Sequence, residues 1–167
     1  ISAAFIILVV VVAGLVAWHR ISVRVRTMLE PVLDGLITVS AKIDGFLAKH
    51  SYARESHRQS LVTAAKEAVD RTRTPYWLFF ASPDHKKTLA TLSRFIADST
   101  SMVEQANSVF IESEVGAFGE LFDTVESKPL TSAQRRSCVV NEDNNLVLAG
   151  AGTGKTSTMI GRAGYLL

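Results

Sequence analysis

The chain has 167 residues, enough for about one domain, and its net charge of +2 gives no overall basic character that would indicate nucleic-acid binding. The single cysteine, Cys138, excludes an intramolecular disulfide and a multi-cysteine metal site, and we expect it to be a buried thiol. The chain begins with Ile1 and ends with Leu167 inside an apolar helical pattern, so we expect it to be a piece of a longer protein.

The first 18 residues, ISAAFIILVVVVAGLVAW, carry no charge. A run of about 18 apolar residues reaches the lower limit for crossing a bilayer core. Three arginines follow it, namely Arg20, Arg24 and Arg26, and they favour a cytoplasmic location for that side. The sequence predicts a single-pass anchor over residues 1–19 in the inner (cytoplasmic) membrane, with contact to the membrane through residues 1–18. A cleaved signal peptide and a buried core helix are the alternatives.

Residues 20–127 are predicted to form a helical accessory region. Apolar residues recur at helical spacing over about 25–49, 52–71 and 83–126, with Pro31 expected to kink or restart the first helix. Residues 51–87 carry seven basic and four acidic residues, whereas residues 88–127 carry one basic and seven acidic residues. Opposite charges of this kind favour a helical hairpin or coiled-coil-like arm.

A short aromatic run lies between two prolines. It consists of Tyr76, Trp77, Phe79 and Phe80. Three interpretations stay open: a base-stacking platform, a surface for a protein partner, or core packing at a helix junction. After the run, Ser82 and Pro83 are typical of a helix start, with a hydroxyl at the cap and proline in the first helical position.

The segment LVLAGAGTGKTS, residues 146–157, predicts a buried β-strand over Leu146–Leu148, a glycine-rich loop, and a helix from about Gly154. Glycines let the loop turn several backbone N–H groups inward, and the helix adds its positive N-terminus, so the loop suits a triphosphate. Lys155 can reach the β- and γ-phosphates, and the Thr156 hydroxyl can bind Mg²⁺. The candidate nucleotide-binding residues here are Ala149, Gly150, Ala151, Gly152, Thr153, Gly154, Lys155, Thr156 and Ser157.

Upstream of the loop, Thr131 can cap a helix that starts at Ser132 and carries Gln134 on its first turn. A glutamine amide offers one acceptor and one donor group, so it can pair with the N6 and N7 edge of adenine. Taken alone, Gln134 is interpreted as an ordinary surface residue of a helix. Its position 21 residues before Lys155 changes that interpretation through the resemblance described next.

Residues 129–167, PLTSAQRRSCVVNEDNNLVLAGAGTGKTSTMIGRAGYLL, resemble the start of the motor domain in UvrD/Rep-type superfamily 1 DNA helicases. Those proteins carry a Leu-x-x-x-Gln segment at about this distance before an Ala-Gly-Ala-Gly-x-Gly-Lys-Thr loop. Many of them have arginine after the loop threonine, where this chain has Ser157.

The resemblance implies a fold class that is mainly α, in which residues 128–167 begin an α/β P-loop NTPase (RecA-like) domain with its first β-strand, loop and helix. It also implies ATP and Mg²⁺ as cofactors, Gln134 as the adenine-binding residue, and Lys155 and Thr156 as catalytic residues, with Thr156 the metal ligand. The partner would be single-stranded or partly duplex DNA, and the whole protein would be a bacterial ATP-dependent helicase or translocase.

Phosphoryl transfer also needs a metal-holding acid, a group that orients water and an arginine, none of which we can assign. We therefore expect this chain alone to hydrolyse no ATP and to unwind no DNA. Arg162 is interpreted as a solvated helix residue without a role. Two other hypotheses stay open: a membrane-tethered signalling or defence ATPase that uses the same motor as a switch, and a structural coiled-coil membrane protein with an incidental loop.

Overall fold

The computed structural model describes residues 3–73 and 81–167, which are mainly helical, as predicted. The aromatic run of residues 76–80 lies outside these ranges, so its three interpretations stay untested. The helices of the described residues, in chain order, are α1 (Ala3–Ala48), α2 (Glu55–Arg71), α3 (Pro83–Ala117), α4 (Gly119–Thr124), α5 (Ser132–Val139) and α6 (Lys155–Leu166).

Helix α1 is one continuous helix of 46 residues. Pro31 lies inside it and does not restart it, so that half of the prediction is wrong, and the kink stays a prediction. Pro31 is exposed, so the carbonyl that loses its partner there can be hydrated. By length and composition α1 can cross a membrane, and its most apolar window has no buried residue.

One compact unit comprises residues 1–42 and 63–96. Its core is formed by apolar side chains from three helices, namely Leu29, Leu36, Ala65, Ala68, Leu92 and Phe95. Within this unit α3 begins where the sequence predicts. Pro83 is its first residue, and the Ser82 hydroxyl accepts a hydrogen bond from the backbone N–H of His85 at 3.3 Å.

The second unit comprises residues 43–62 and 97–167. Its core is the cluster of Ile111, Phe122, Leu130, Cys138 and Val139. The helical region predicted over about residues 83–126 is divided in two, because α3 ends at Ala117 and α4 begins at Gly119. This second unit contains every residue of the candidate site.

Side-chain carboxylates from a distant part of the chain cap the start of α2. The helix begins at Glu55, slightly later than the predicted Tyr52. The backbone N–H of Glu55 donates to Glu142 Oε1, and that of Ser56 donates to Asp143 Oδ2, each at 2.9 Å. Because the first N–H groups of a helix have no partner within it, these two acceptors determine where α2 begins.

The predicted β-strand over Leu146–Leu148 is not formed, and no strand occurs elsewhere in residues 3–73 and 81–167. A strand exists only beside another strand with which it shares backbone hydrogen bonds. The segment is extended chain without regular structure, and Leu146 and Leu148 are 83% and 85% exposed rather than buried. Within the described ranges, the α/β part of the predicted fold is therefore present only as the loop and α6.

Candidate nucleotide-binding site

The loop of residues 149–154 leads directly into α6, and two of its glycines have left-handed backbone conformations. The φ angles are +73° at Gly152 and +84° at Gly154, and no other described residue has a positive φ. Alternation of ordinary and left-handed residues turns successive N–H groups toward one side, which produces a concave site for anions. The Thr153 hydroxyl donates to the carbonyl of Gly150 at 2.8 Å and holds the loop closed on itself.

Lys155 and Thr156 are the first two residues of α6, and both are exposed. The Lys155 ammonium donates to the carbonyl of Ala149 at 2.7 Å, so its side chain runs back along the loop to the residue where the loop begins. A positive charge therefore lies beside the loop, next to the positive end of the α6 dipole. This donor set fits a phosphate chain, and the neighbouring hydroxyl of Thr156 is an oxygen ligand of the kind that Mg²⁺ accepts.

Gln134 lies against the same loop, as its spacing from Lys155 predicts. Its Nε2 donates to the carbonyl of Thr153 at 3.2 Å, which uses one of its two amide N–H groups. Its Oε1 accepts from the backbone N–H of Thr131 at 2.8 Å and from the Thr131 hydroxyl at 3.0 Å. Thr131 is the N-cap of α5, and Thr131 and Gln134 together form a capping box, so the predicted cap is confirmed.

Gly154 is required for two reasons. Its φ of +84° is unfavourable for any residue with a Cβ, and a Cβ built there would lie 2.3 Å from Gln134 Nε2. The close approach between the loop and the glutamine amide thus depends on the absence of a side chain at residue 154. The loop sequence and the position of Gln134 are consequently a matched pair.

Helices α5 and α6 pack closely along their length. A Cβ at Gly161 would lie 2.7 Å from Leu130 Cδ1 and 3.1 Å from Cys138 Sγ, so only glycine fits at this contact. Cys138 is fully buried, as predicted, and its thiol donates to the carbonyl of Thr158 at 3.3 Å. Burial raises the pKa of this thiol, so Cys138 is a structural residue and not a nucleophile.

Arg162 is not the solvated helix residue that we expected. It is half-buried, and its Nη1 donates to the carbonyls of Cys138 at 3.1 Å and Val140 at 2.5 Å. Its Nη2 donates to Asn141 Oδ1 at 3.4 Å. The sequence carries no signal for these contacts, because two of the acceptors are backbone carbonyls.

Tyr165 is a second residue that the sequence did not single out. Its hydroxyl donates to Glu114 Oε2 at 2.8 Å, and its ring packs edge-on against Phe118 with 4.8 Å between the ring centroids. Burial, followed by the neighbouring Glu114 carboxylate, raises the pKa of Tyr165 to about 12. The end of α6 is thereby fixed to α3 by the polar contact with Glu114 and to the start of α4 by the aromatic contact with Phe118.

Comparison with known proteins agrees with this geometry. Residues 130–167, which contain α5, the loop and α6, match the family model of the UvrD/REP helicase N-terminal domain. This match places the C-terminal part of the chain among the UvrD/Rep-type helicases, as its sequence predicts. A particular relative is DNA helicase IV of Escherichia coli (strain K12), which is 44% identical over 73 residues.

The 73 matched residues make up 44% of this chain and 11% of DNA helicase IV, so the chain spans only a small part of that relative's length. No solved structure matches the chain.

Proposed function

We propose that this chain is the N-terminal part of an ATP-dependent DNA helicase or translocase, which couples ATP binding and hydrolysis to movement along single-stranded DNA. One observation carries the proposal. Gln134 and the loop before Lys155 are joined by the hydrogen bond from Gln134 Nε2 to the Thr153 carbonyl, within a segment that matches the UvrD/REP helicase family. A base-binding group beside a phosphate-binding loop is what nucleotide recognition requires.

Each residue has a role in this proposal. The loop N–H groups and the N-terminus of α6 hold the phosphates, and the Lys155 ammonium leaves the Ala149 carbonyl to bind the β- and γ-phosphate oxygens. The Thr156 hydroxyl would hold Mg²⁺, and the metal would supply positive charge beside the phosphates. The second N–H of Gln134 donates to adenine N7, and Gln134 Oε1 accepts from adenine N6 once the Thr131 hydroxyl turns away.

We further propose that residues 1–19 anchor the protein in the inner membrane and leave the ATPase part in the cytoplasm. The support is a helix of sufficient length and apolar composition, whose most apolar window is not buried, followed by the exposed residues Arg20, Arg24 and Arg26. Helices α2 and α3 would then form an accessory arm between the anchor and the motor, paired as a hairpin. A high-salt wash of membranes tests the anchor, because release of the intact protein into the soluble fraction would contradict it.

This chain alone is proposed to bind ATP without hydrolysing it. Residues 144–167 contain no aspartate or glutamate, so the loop and α6 bring no carboxylate that could hold the metal or orient water. Calorimetry with ATP and Mg²⁺ measures binding, and phosphate release measures turnover. Steady phosphate release by the 167-residue chain would refute this part of the proposal.

The test of the main proposal uses the intact protein and matched pairs of variants. Lys155→Ala is expected to lower DNA-stimulated ATP hydrolysis by about 100-fold or more, because a charged donor to the transferred phosphate is lost. Lys128→Ala removes an exposed lysine outside the loop and is expected to leave the rate unchanged.

Gln134→Ala is expected to weaken ATP binding by about 5- to 100-fold, which is the range for loss of a two-bond base contact. Gln105→Ala removes an exposed glutamine of α3 and serves as its control. ATP hydrolysis without DNA stimulation or strand displacement would favour the signalling or defence ATPase over the helicase. Equal activity of the wild type and Lys155→Ala would reject both.

A further inference from the structure

We propose that Arg162 is a positioning residue for base selectivity: it holds α5 so that Gln134 lies at a fixed distance from the phosphate-binding loop. This inference rests on the proposed function, because it assumes that the loop binds a nucleoside triphosphate and that Gln134 contacts the base. It concerns a residue that neither the loop pattern nor the adenine-binding segment includes.

Arg162 bonds the carbonyl groups at the C-terminal end of α5. The last carbonyls of a helix lack partners within it, and α5 ends at Val139. The Arg162 guanidinium donates to the carbonyls of Cys138 and Val140 and to the Asn141 side chain. A charged donor with a planar fork makes stronger and more directional bonds than neutral groups do.

The bonds of Arg162 connect α5 to the helix that follows the loop. Arg162 belongs to α6, the helix that starts at Lys155, so its bonds join the C-terminal end of α5 to the body that carries the loop. At the opposite end of α5, the amide of Gln134 contacts the loop, with 3.2 Å from Nε2 to the Thr153 carbonyl. Between these ends, the Cys138 thiol donates to the carbonyl of Thr158 at 3.3 Å, which is a weak bond because sulfur is a poor donor.

Helix α5 is short, so its two ends cannot move independently. Gln134 and Val139 are five residues apart, which is about 7.5 Å along a helix. Movement of one end of so short a helix displaces the other end by a similar amount. A base contact is lost once donor and acceptor separate beyond about 3.5 Å, so a shift of less than an ångström suffices to weaken it. The phosphate contacts belong to the loop and α6, so they should depend less on where α5 lies than the base contact does.

A positioning role of Arg162 and a role in overall stability predict different effects on ligand binding. Loss of the Arg162 bonds should weaken recognition of the base and spare recognition of the phosphates. A role in overall stability would weaken binding of every ligand together. The variant Arg162→Lys keeps the positive charge but loses the planar guanidinium group. It should therefore retain part of the preference for ATP over GTP.

The experiment measures the affinities of the intact protein for ATP, GTP and inorganic tripolyphosphate, each with Mg²⁺, by calorimetry. The variants are Arg162→Gln, Arg162→Lys, Gln134→Ala and the double variant Arg162→Gln/Gln134→Ala. Arg136→Gln is the matched control, because Arg136 is an exposed arginine of α5 itself. Far-UV circular dichroism compares the folding of all variants.

We expect Arg162→Gln to reduce the ratio of ATP to GTP affinity by about fivefold or more, toward the value of Gln134→Ala. Tripolyphosphate affinity should stay within about twofold, Arg162→Lys should lie between wild type and Arg162→Gln, and the double variant should match Gln134→Ala. An unchanged ratio, or equal weakening of all three ligands, would overturn the inference. If Arg162→Gln does not fold, Arg162→Lys decides the question by the same criteria.

Failure of the underlying proposal gives a different pattern. A wild type that binds none of the three ligands would reject nucleotide binding, and the inference with it. The wild type could instead bind all three ligands with the same ratio of ATP to GTP affinity as Gln134→Ala. This result would reject recognition of the base by Gln134. That result would overturn the role of Arg162 and leave phosphate binding by the loop intact.

Discussion

Ser56 and Asp143 are 87 residues apart in the chain and share two hydrogen bonds, from the Ser56 backbone N–H to Asp143 Oδ2 and from the Ser56 hydroxyl to Oδ1, each at 2.9 Å. Next to them, Arg54 Nε donates to the carbonyl of Asn141 at 3.1 Å. The segment that leads from α5 to the loop is therefore the cap of α2. The helical arm and the candidate nucleotide site share one structural element.

The first prediction concerns this cap. Asp143→Ala is expected to lower the thermal unfolding temperature, because the backbone N–H and the hydroxyl of Ser56 at the start of α2 lose their acceptor. Ser56→Ala keeps the backbone donor and should cost only about 0.5 kcal/mol. In a double-mutant cycle, adding Ser56→Ala to Asp143→Ala should cost nothing further, and full additivity would contradict the contact.

The cap also has a pH dependence with a defined sign. The backbone N–H of Ser56, followed by its hydroxyl, lowers the pKa of Asp143 below its ordinary value of 3.8. A carboxyl whose pKa is lower in the folded state stabilises that state above the unfolded pKa, and the contribution disappears as the pH falls through the folded pKa. The wild type should thus lose more stability below pH 3.8 than Asp143→Asn does.

The second prediction concerns Asn107, which is buried and binds both backbone groups of one residue. Its Oδ1 accepts from the N–H of Ala53 at 2.7 Å, and its Nδ2 donates to the Ala53 carbonyl at 3.0 Å. Asn107→Ala leaves two buried polar groups without partners and should lower the free energy of unfolding by about 2–4 kcal/mol. Urea unfolding measures this, with the exposed Asn144→Ala as a control expected within about 0.5 kcal/mol of wild type.

The third prediction compares two glycines of the second unit. Gly161→Ala is expected to destabilise the protein by about 1–3 kcal/mol, because its Cβ would overlap the Leu130 side chain. Gly116→Ala meets nothing within 4 Å in the last turn of α3 and should be neutral or stabilising by up to about 1 kcal/mol. Equal effects of the two substitutions on urea unfolding would show that α5 and α6 are not closely packed.

The fourth prediction uses the raised pKa of Tyr165. A tyrosine whose pKa rises from 10.0 to about 12 on folding stabilises the folded state below pH 10, and this contribution is lost as the pH rises through 12. The free energy of unfolding of Tyr165→Phe should consequently depend less on pH across this interval. At neutral pH the same variant should cost about 1 kcal/mol for the hydrogen bond to Glu114. Parallel pH curves for wild type and variant would contradict the prediction.

The sequence was informative where structure depends on neighbours in the chain. The Thr131 cap, the start of α3 at Pro83 and the buried Cys138 all follow from local spacing or side-chain chemistry, and each is confirmed. The adenine-binding role of Gln134 stays a prediction.

Predictions failed where the structure depends on partners that are distant in the chain. The segment Leu146–Leu148 has no neighbouring strand among residues 3–73 and 81–167, and the start of α2 depends on acceptors 87 residues away. Arg162 was misjudged because its partners are backbone carbonyls, which no side-chain pattern reveals. The pairing of α2 with α3 and the boundaries of residues 1–19, 20–127 and 128–167 stay predictions.

The bonds between residues 54–56 and 141–143 set an order of events during synthesis. Translation proceeds from the N-terminus at about 5–20 residues per second, so the start of α2 is synthesised roughly 4–17 seconds before Asp143. Through that interval, its first N–H groups lack these two acceptors. A protease applied to stalled ribosomes should cut near Arg54 in nascent chains that lack residues 141–143 and spare this site in longer chains. The start of α2 is synthesised before the residues that cap it and can complete its hydrogen bonds only after they are made.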